Sequence, residues 1–199
     1  MPKLLIATGN KGKLREIQAL LKDLAVELVL PLDLGLRLEV VEDGKTYAEN
    51  AERKARAFAE ATGLVSLADD SGLEVDALNG LPGLHSARFS AVPGATDADR
   101  RHHLLDQLNG HSRPWRARFV CTIALATPAG RVSFAEGECP GEVIPEERGS
   151  QGFGYDPIFY IPELGCTMAE LSMEAKNRVS HRSRAILAAR PAIQQVLDL

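Results

Sequence analysis

Leu4-Leu5-Ile6-Ala7-Thr8-Gly9-Asn10-Lys11-Gly12-Lys13 opens the chain with an apolar run and a polar glycine turn. From Lys13 to Leu24, apolar residues then recur at Leu14, Ile17, Leu20, Leu21 and Leu24. A spacing of three and four is the period of a helix, so the segment reads as strand, loop, helix. Its apolar run is too short for a signal-peptide core or a membrane span. Val26 to Leu30 reads as a second strand, and Pro31 to Gly44 as a connection that turns acidic at Glu39, Glu42 and Asp43. The alanine-rich stretch from Thr46 to Thr62 is strongly helix-forming. Thr46 and Glu49 have the spacing of a capping box, and Gly63 is placed to end the helix. Leu64 to Ala68 is the next expected strand, ending in Asp69-Asp70-Ser71-Gly72.

Further along, Leu73 to Leu78 reads as a separate strand and Asn79 to Pro93 as an irregular loop rich in Gly and Pro. Thr96 with Asp99 resembles an N-cap for a helix reaching Leu108. Arg116 to Thr127 and Arg131 to Glu138 read as antiparallel strands joined by Pro128-Ala129-Gly130. A glycine-rich segment from Gly149 to Asp156 precedes a short strand, Ile158 to Ile161. Helical sequence follows from Met168, with Pro191 expected to break or kink its last stretch. Helices interleaved with strands, plus one hairpin, predict an α/β protein with a mixed sheet. No repeat or linker divides the 199 residues, a length that favours one large domain or two small lobes over a multidomain protein.

The composition narrows the function classes. The chain is 45% hydrophobic and 25% charged, with 27 acidic against 23 basic residues for a net charge of −4. That balance disfavours a nucleic-acid polymer as partner, although a few lysines are enough to hold a single nucleotide. Cys121, Cys139 and Cys166 are widely spaced and form no Cys-x-x-Cys pair, as expected of buried thiols in a reducing, cytoplasmic compartment.

Several segments carry residues suited to chemistry. Thr8 to Lys13 lies where a strand gives way to a helix, so backbone N–H groups and the helix dipole can face an anion. Lys13 would add a point charge and Asn10 an amide donor. The loop lacks the Walker A pattern, and such turns are also common as plain structure. Asp69-Asp70-Ser71-Gly72 reads equally as an Asx-type turn or as a metal site, since hard carboxylate oxygens suit Mg²⁺. On an extended segment the two aspartates point to opposite faces, so one can hold structure while the other meets a metal. Glu42 is the natural second carboxylate, with a solvated acid of an acidic loop as the alternative. Asn50 and Lys54 share one helical face, either in a polar cleft or simply exposed. Lys176, His181 and Arg182 form a basic cluster near a C-terminal helix, either surface charge and helix-dipole partners or, if they converge on one pocket, a binding site. In Gly152-Phe153-Gly154-Tyr155-Asp156-Pro157, two aromatics between glycines suit stacking on a base, with a packed tight turn as the alternative. The adjacent His102 and His103 diverge on their helix and receive no role.

Taken in order, these segments resemble the inosine triphosphate pyrophosphatase family. They are Ala7 to Lys13, Glu49-Asn50-Ala51 to Lys54-Ala55, Ala68 to Leu73, Pro82-Gly83 through Ser86 to Ser90, Gly152 to Pro157, and Ser180-His181-Arg182. The resemblance implies a long mixed sheet flanked by helices, a nucleotide cleft between two lobes, and a homodimer. It also implies Mg²⁺-dependent hydrolysis of noncanonical purine nucleoside triphosphates (ITP, dITP, XTP) to the monophosphate and pyrophosphate. Carried over, Thr8, Gly9, Asn10, Lys11, Gly12 and Lys13 hold the triphosphate. Asp70 is the base and a metal ligand with Glu42, and Ser71 contacts substrate. Phe153, Gly154, Tyr155, Asp156, Lys176, His181 and Arg182 match further substrate-contacting positions, and Asn50 and Lys54 join them. Asp69 remains unassigned. A related pyrophosphatase for pyrimidine or other modified nucleotides, or a nucleotide-sensing module without turnover, are the alternatives.

Overall fold

The computed structural model describes residues 1–90 and 92–199. Seven strands form one mixed sheet: β1 (Lys3–Ile6), β2 (Glu27–Val29), β3 (Val65–Val75), β4 (Trp115–Ala126), β5 (Val132–Val143), β6 (Phe159–Ile161) and β7 (Cys166–Thr167). Their order is β2-β1-β3-β4-β5-β6-β7. β1 runs parallel to β2 and β3, while β6 is antiparallel to both β5 and β7. The helices are α1 (Lys11–Leu21), α2 (Tyr47–Thr62), α3 (Asp97–Leu108), α4 (Met173–Val179) and α5 (His181–Leu197). The expected α/β class with a mixed sheet is the fold observed.

The chain forms two compact units. The first comprises Met1–Asp70, Cys121–Gly137 and Arg182–Leu199, and the second Ser71–Val120 and Glu138–His181. In the first unit the continuous apolar run of β1 is explained by burial on both faces. Leu4, Ile6 and Leu67 pack with Ile17 and Leu21 of α1 and with Ala185, Ile186 and Ile193 of α5. Leu5, Ala7 and Ala68 pack on the opposite side with Ala51, Ala55, Phe58 and Ala59 of α2. The small side chains of α2 allow it a close approach to the strands. The second unit has its own core, in which Leu104 and Leu108 of α3 pack with Leu73, Val75, Phe119, Ile158, Phe159 and Met168.

Three local expectations change. The predicted break after Ala68 does not occur: β3 is one strand of eleven residues, with Asp69-Asp70-Ser71-Gly72 in its interior. The Asx-turn reading therefore falls, and so does the placing of the aspartates at a strand's C-terminal end. The cause is that buried ion pairs and hydrogen bonds compensate polar side chains in mid-strand, a tertiary effect that local propensity does not register. At α2, Thr46 Oγ1 accepts from the Glu49 amide at 3.1 Å, but Glu49 Oε2 accepts from the Lys45 amide, one residue before the cap. The full reciprocal box forms instead at α3, between Thr96 and Asp99. Finally, α5 runs on through Pro191. Proline removes the hydrogen bond to the carbonyl four residues earlier. Here that residue is Leu187, which lies on the exposed side of the helix.

Candidate functional site

The alternation along β3 sorts the two aspartates. Leu67 belongs to the face covered by α1 and α5, and Ala68 to the face covered by α2. Two residues on, Asp69 repeats the Leu67 orientation and Asp70 that of Ala68. Their contacts follow. Asp69 Oδ2 lies 2.9 Å from Lys13 Nζ of α1 and 3.2 Å from Arg182 Nε of α5, and Arg182 Nη1 also meets Glu16 of α1. Asp70 Oδ2 accepts from Asn50 Nδ2 of α2 at 3.0 Å.

The two carboxyls are perturbed in opposite directions. For Asp69, burial disfavours charge, but Lys13, Arg182 and Lys54 outweigh it and hold the group well below the ordinary carboxylate range. For Asp70 burial prevails. Its pKa is raised despite Lys54, the Asn50 amide and Lys13, and the negative charge of Glu42 pushes the same way. The result is a carboxylate that never sheds its charge near neutrality beside one of enhanced basicity.

α2 supplies the groups around Asp70. Asn50 is 2% exposed, its Nδ2 facing Asp70 and its Oδ1 accepting from the Gly44 amide at 2.8 Å, which fixes the orientation of the amide. A Cβ at Gly44 would lie 2.6 Å from that same Oδ1, so glycine is required for the contact. Lys54 Nζ donates to the Asp69 carbonyl at 2.7 Å and to Glu42 Oε2 at 3.3 Å. The exposed-face alternative for Asn50 and Lys54 is thus excluded. Lys54 pairs with Glu42 and its charge acts on both Asp69 and Asp70, and among the described residues no three His, Cys, Asp or Glu side chains converge as a self-sufficient metal cage.

At the start of α1, Asn10 is the N-cap. Its Oδ1 accepts from the Gly12 and Lys13 amides at 2.8 and 3.1 Å, and its own amide bonds Thr8 Oγ1 at 3.2 Å. Of the N–H groups expected to face an anion, those of Thr8, Asn10, Gly12 and Lys13 are therefore already bonded within the protein. Thr8, Gly12 and Lys13 are half-buried; Gly9, Asn10 and Lys11 are exposed.

In the second unit, Gly152 to Asp156 forms a tight, internally bonded turn. Asp156 Oδ2 accepts from the Phe153 amide at 2.9 Å and from Lys176 Nζ at 2.6 Å, and Lys176 Nζ sits 5.1 Å from the centre of the Phe153 ring. Asp156 and Lys176 are both buried, whereas Phe153 is half-buried. Tyr155 belongs to the core, its hydroxyl donating to the Ser86 carbonyl at 2.9 Å. Ser71 follows Asp70 on β3 and is half-buried. His181, also buried, stacks on Phe119 with ring centres 4.7 Å apart. Cys121 and Cys139 are buried as expected, with Cys121 pushed up to about 12 by burial and by the Asp69 charge; Cys166 is partly exposed.

Sequence reasoning missed Glu16 and Gly44. Glu16 had a signal: it lies three residues after Lys13 and four before Leu20, on the buried stripe of α1. Gly44 had none, because its role comes from a contact with a residue six positions away.

The fold and these contacts define an α/β protein in which two lysines flank a buried pair of carboxylates of opposite character. Comparison with known proteins narrows that class: a sequence profile of the Ham1 family matches residues 4–192, and the chain belongs to that family. It is 47% identical over 197 residues to a dITP/XTP pyrophosphatase from Desulfotalea psychrophila, covering 99% of this chain and 87% of that one. A solved HAM1 protein from Coxiella burnetii superposes with a TM-score of 0.88 at 39% identity, covering 98% of this chain and all of the other. A Mycobacterium abscessus nucleoside-triphosphatase, also described as a dITP/XTP pyrophosphatase, gives 0.75 at 44% identity, covering 95% of this chain and 99% of that one. Among the described residues no helix is long and apolar enough to cross a membrane.

Proposed function

We propose that this protein hydrolyses noncanonical purine nucleoside triphosphates, dITP, XTP and ITP, to the nucleoside monophosphate and pyrophosphate. The reading is supported by its relatives, which act on dITP and XTP by their names, at 47% identity over nearly the whole chain. One observation carries the chemistry: Asp69 is tied to Lys13 and Arg182, while Asp70, on the other face of the same strand, keeps a raised pKa. A base works best when its pKa approaches the working pH, which is the direction in which Asp70 is moved.

In this proposal Asp70 takes a proton from water as the water oxygen bonds to the α-phosphorus, and the bond from that phosphorus to the bridging oxygen of the β-phosphate breaks. Pyrophosphate leaves. Lys13, with Thr8, Gly9, Asn10, Lys11 and Gly12, holds the phosphate chain. Lys54 and Asn50 keep Asp70 in place, and Ser71 contacts substrate. Asp70 and Glu42 would hold Mg²⁺, which fits because it takes one or two carboxylates plus phosphate oxygens and water. When bound, the metal offsets phosphate charge and the repulsion that Glu42 imposes on Asp70. In the second unit, Phe153 and Gly154 meet the base, with Asp156 and Lys176 holding the ring's turn and Tyr155 anchoring it to the core. His181 supplies a donor suited to the oxo group at position 6 of the purine. Arg182 is the remaining candidate contact, and its burial against Glu16 and Asp69 favours support of Lys13 over a direct role. The protein is proposed to act as a cytoplasmic homodimer.

An assay with ITP, XTP, dITP, ATP and GTP plus Mg²⁺, resolving pyrophosphate from orthophosphate, tests the proposal. Pyrophosphate released from the oxo-purine substrates ahead of ATP and GTP is the expected outcome. Orthophosphate would overturn the reaction, and binding without turnover would make the protein a nucleotide sensor.

A further inference from the structure

The turn carrying Phe153 has intrinsic freedom, because Gly149, Gly152 and Gly154 all occupy the left-handed region, at φ +77°, +78° and +61°. Its tip is nevertheless held from outside by α3, for which sequence reading predicts only a capped helix. The Gly154 amide donates to Asp97 Oδ2 at 2.8 Å, and the Gly154 carbonyl accepts from Arg101 Nη1 at 2.9 Å. Asp97 and Arg101 are four residues apart in the first turns of α3 and so share one face. The capping box between Thr96 and Asp99 fixes where that face begins. The rest of the Arg101 guanidinium is locked by Glu147 in a bidentate pair, Nε to Oε1 at 2.8 Å and Nη2 to Oε2 at 2.9 Å, and the side chain is 12% exposed. Asp97 is steadied in turn by Arg100. Within the turn, Phe153 and Asp156 bond reciprocally, the Asp156 amide donating to the Phe153 carbonyl at 3.2 Å.

We propose that Asp97 and Arg101 are specificity-determining positioning residues, which clamp both backbone polar groups of Gly154 so that the Phe153 ring is presented in one orientation to the purine base. This rests on the reading that the protein binds noncanonical purine triphosphates with Phe153 against the base. The chemistry of each contact sets which replacements should succeed. Asp97 serves as an acceptor, so Asn retains its function and Ala does not. Arg101 serves three contacts with one planar group, which a lysine ammonium cannot reproduce.

The test combines steady-state kinetics on ITP, dITP and ATP with hydrogen exchange of the 149–157 segment in Asp97→Ala, Asp97→Asn, Arg101→Ala and Arg101→Lys. In Asp97→Ala and Arg101→Ala, KM for ITP should rise about tenfold, the scale of one lost hydrogen bond, with kcat within about twofold. Exchange in the segment should accelerate and the preference for ITP over ATP should shrink. Asp97→Asn should restore all three readouts, while Arg101→Lys should behave as Arg101→Ala does. Unchanged KM and exchange in both alanine variants would overturn the inference, as would Asp97→Asn failing as badly as Asp97→Ala, or kcat falling with KM unmoved. Wild-type protein that neither binds nor cleaves ITP would overturn the functional reading and this inference with it. An active wild type beside indifferent variants overturns the inference alone.

Discussion

Around Asp69 and Asp70, charged side chains are buried and held by one another, Lys13 and Arg182 on one carboxylate and Asn50 on the other. Around Phe153, the groups being held are backbone amides and carbonyls of a glycine turn, gripped by Asp156, Asp97 and Arg101. A buried charge network resists rearrangement because removing one member strands another in low dielectric. The glycine turn contains one such pair, Asp156 with Lys176, but its tip at Gly154 carries no side chain and has to be oriented from outside. Chemistry on phosphates needs groups fixed in charge state, whereas base selection needs a surface fixed in shape.

The largest expected effect comes from breaking the first region at Asp70. Asp70→Asn should lower turnover of ITP by about 10³-fold or more, at the upper end for a general base. The same change should raise stability. Ionised Asp70 is unfavourable when buried, so its folded pKa lies above the unfolded value of about 3.9. Its contribution to stability is therefore present below that value and lost as pH rises through the folded pKa. Urea unfolding at pH 7 without metal should show Asp70→Asn more stable than wild type, the difference vanishing in acid. Near-normal turnover would remove Asp70 as the base.

Asp69→Asn should act in the opposite sense. Leaving Lys13 without its carboxylate, and Arg182 with Glu16 alone, should cost about 3 kcal/mol of stability, the lower end for one partner of a buried pair. Asp69 is held below its unfolded value of about 3.9, so its contribution is present above that pH and lost as pH falls through the lower folded pKa. Denaturation curves from neutral pH into acid should converge for wild type and Asp69→Asn. A gap that persists in acid would show that the carboxylate is not the stabilising species.

How much of this was legible in the sequence depends on how local its causes are. The sheet class, α1, α2 and α3 with its N-cap follow from periodicity and caps, which are short-range. The opposite facing of Asp69 and Asp70 also follows from alternation alone. Their partners did not: Arg182 lies 113 residues from Asp69 and 166 from Glu16. The break expected after Ala68 shows the same limit, since a polar tetrapeptide looks like a turn until distant cations compensate it. Asp97 and Arg101 were read only as the beginning of a helix, because what they hold is the backbone of Gly154, 57 and 53 residues away.

The second region should yield smaller effects, seen in binding. Phe153→Ala should raise KM for ITP by about tenfold, in line with about 1–3 kcal/mol for one stacked base, and leave kcat within about twofold. The asymmetry between KM and kcat is the informative part, because a ring that only braced the turn would disturb both through Asp156 and Lys176. Phe153→Leu and Phe153→Tyr separate the two: Leu keeps apolar bulk over Lys176 but loses the flat face, whereas Tyr keeps both. If Leu restores KM as well as Tyr does, the ring serves packing and the base is recognised elsewhere. If only the aromatic replacement restores it, the turn's geometry is maintained for stacking, and a shape-fixed surface accounts for discrimination in this region.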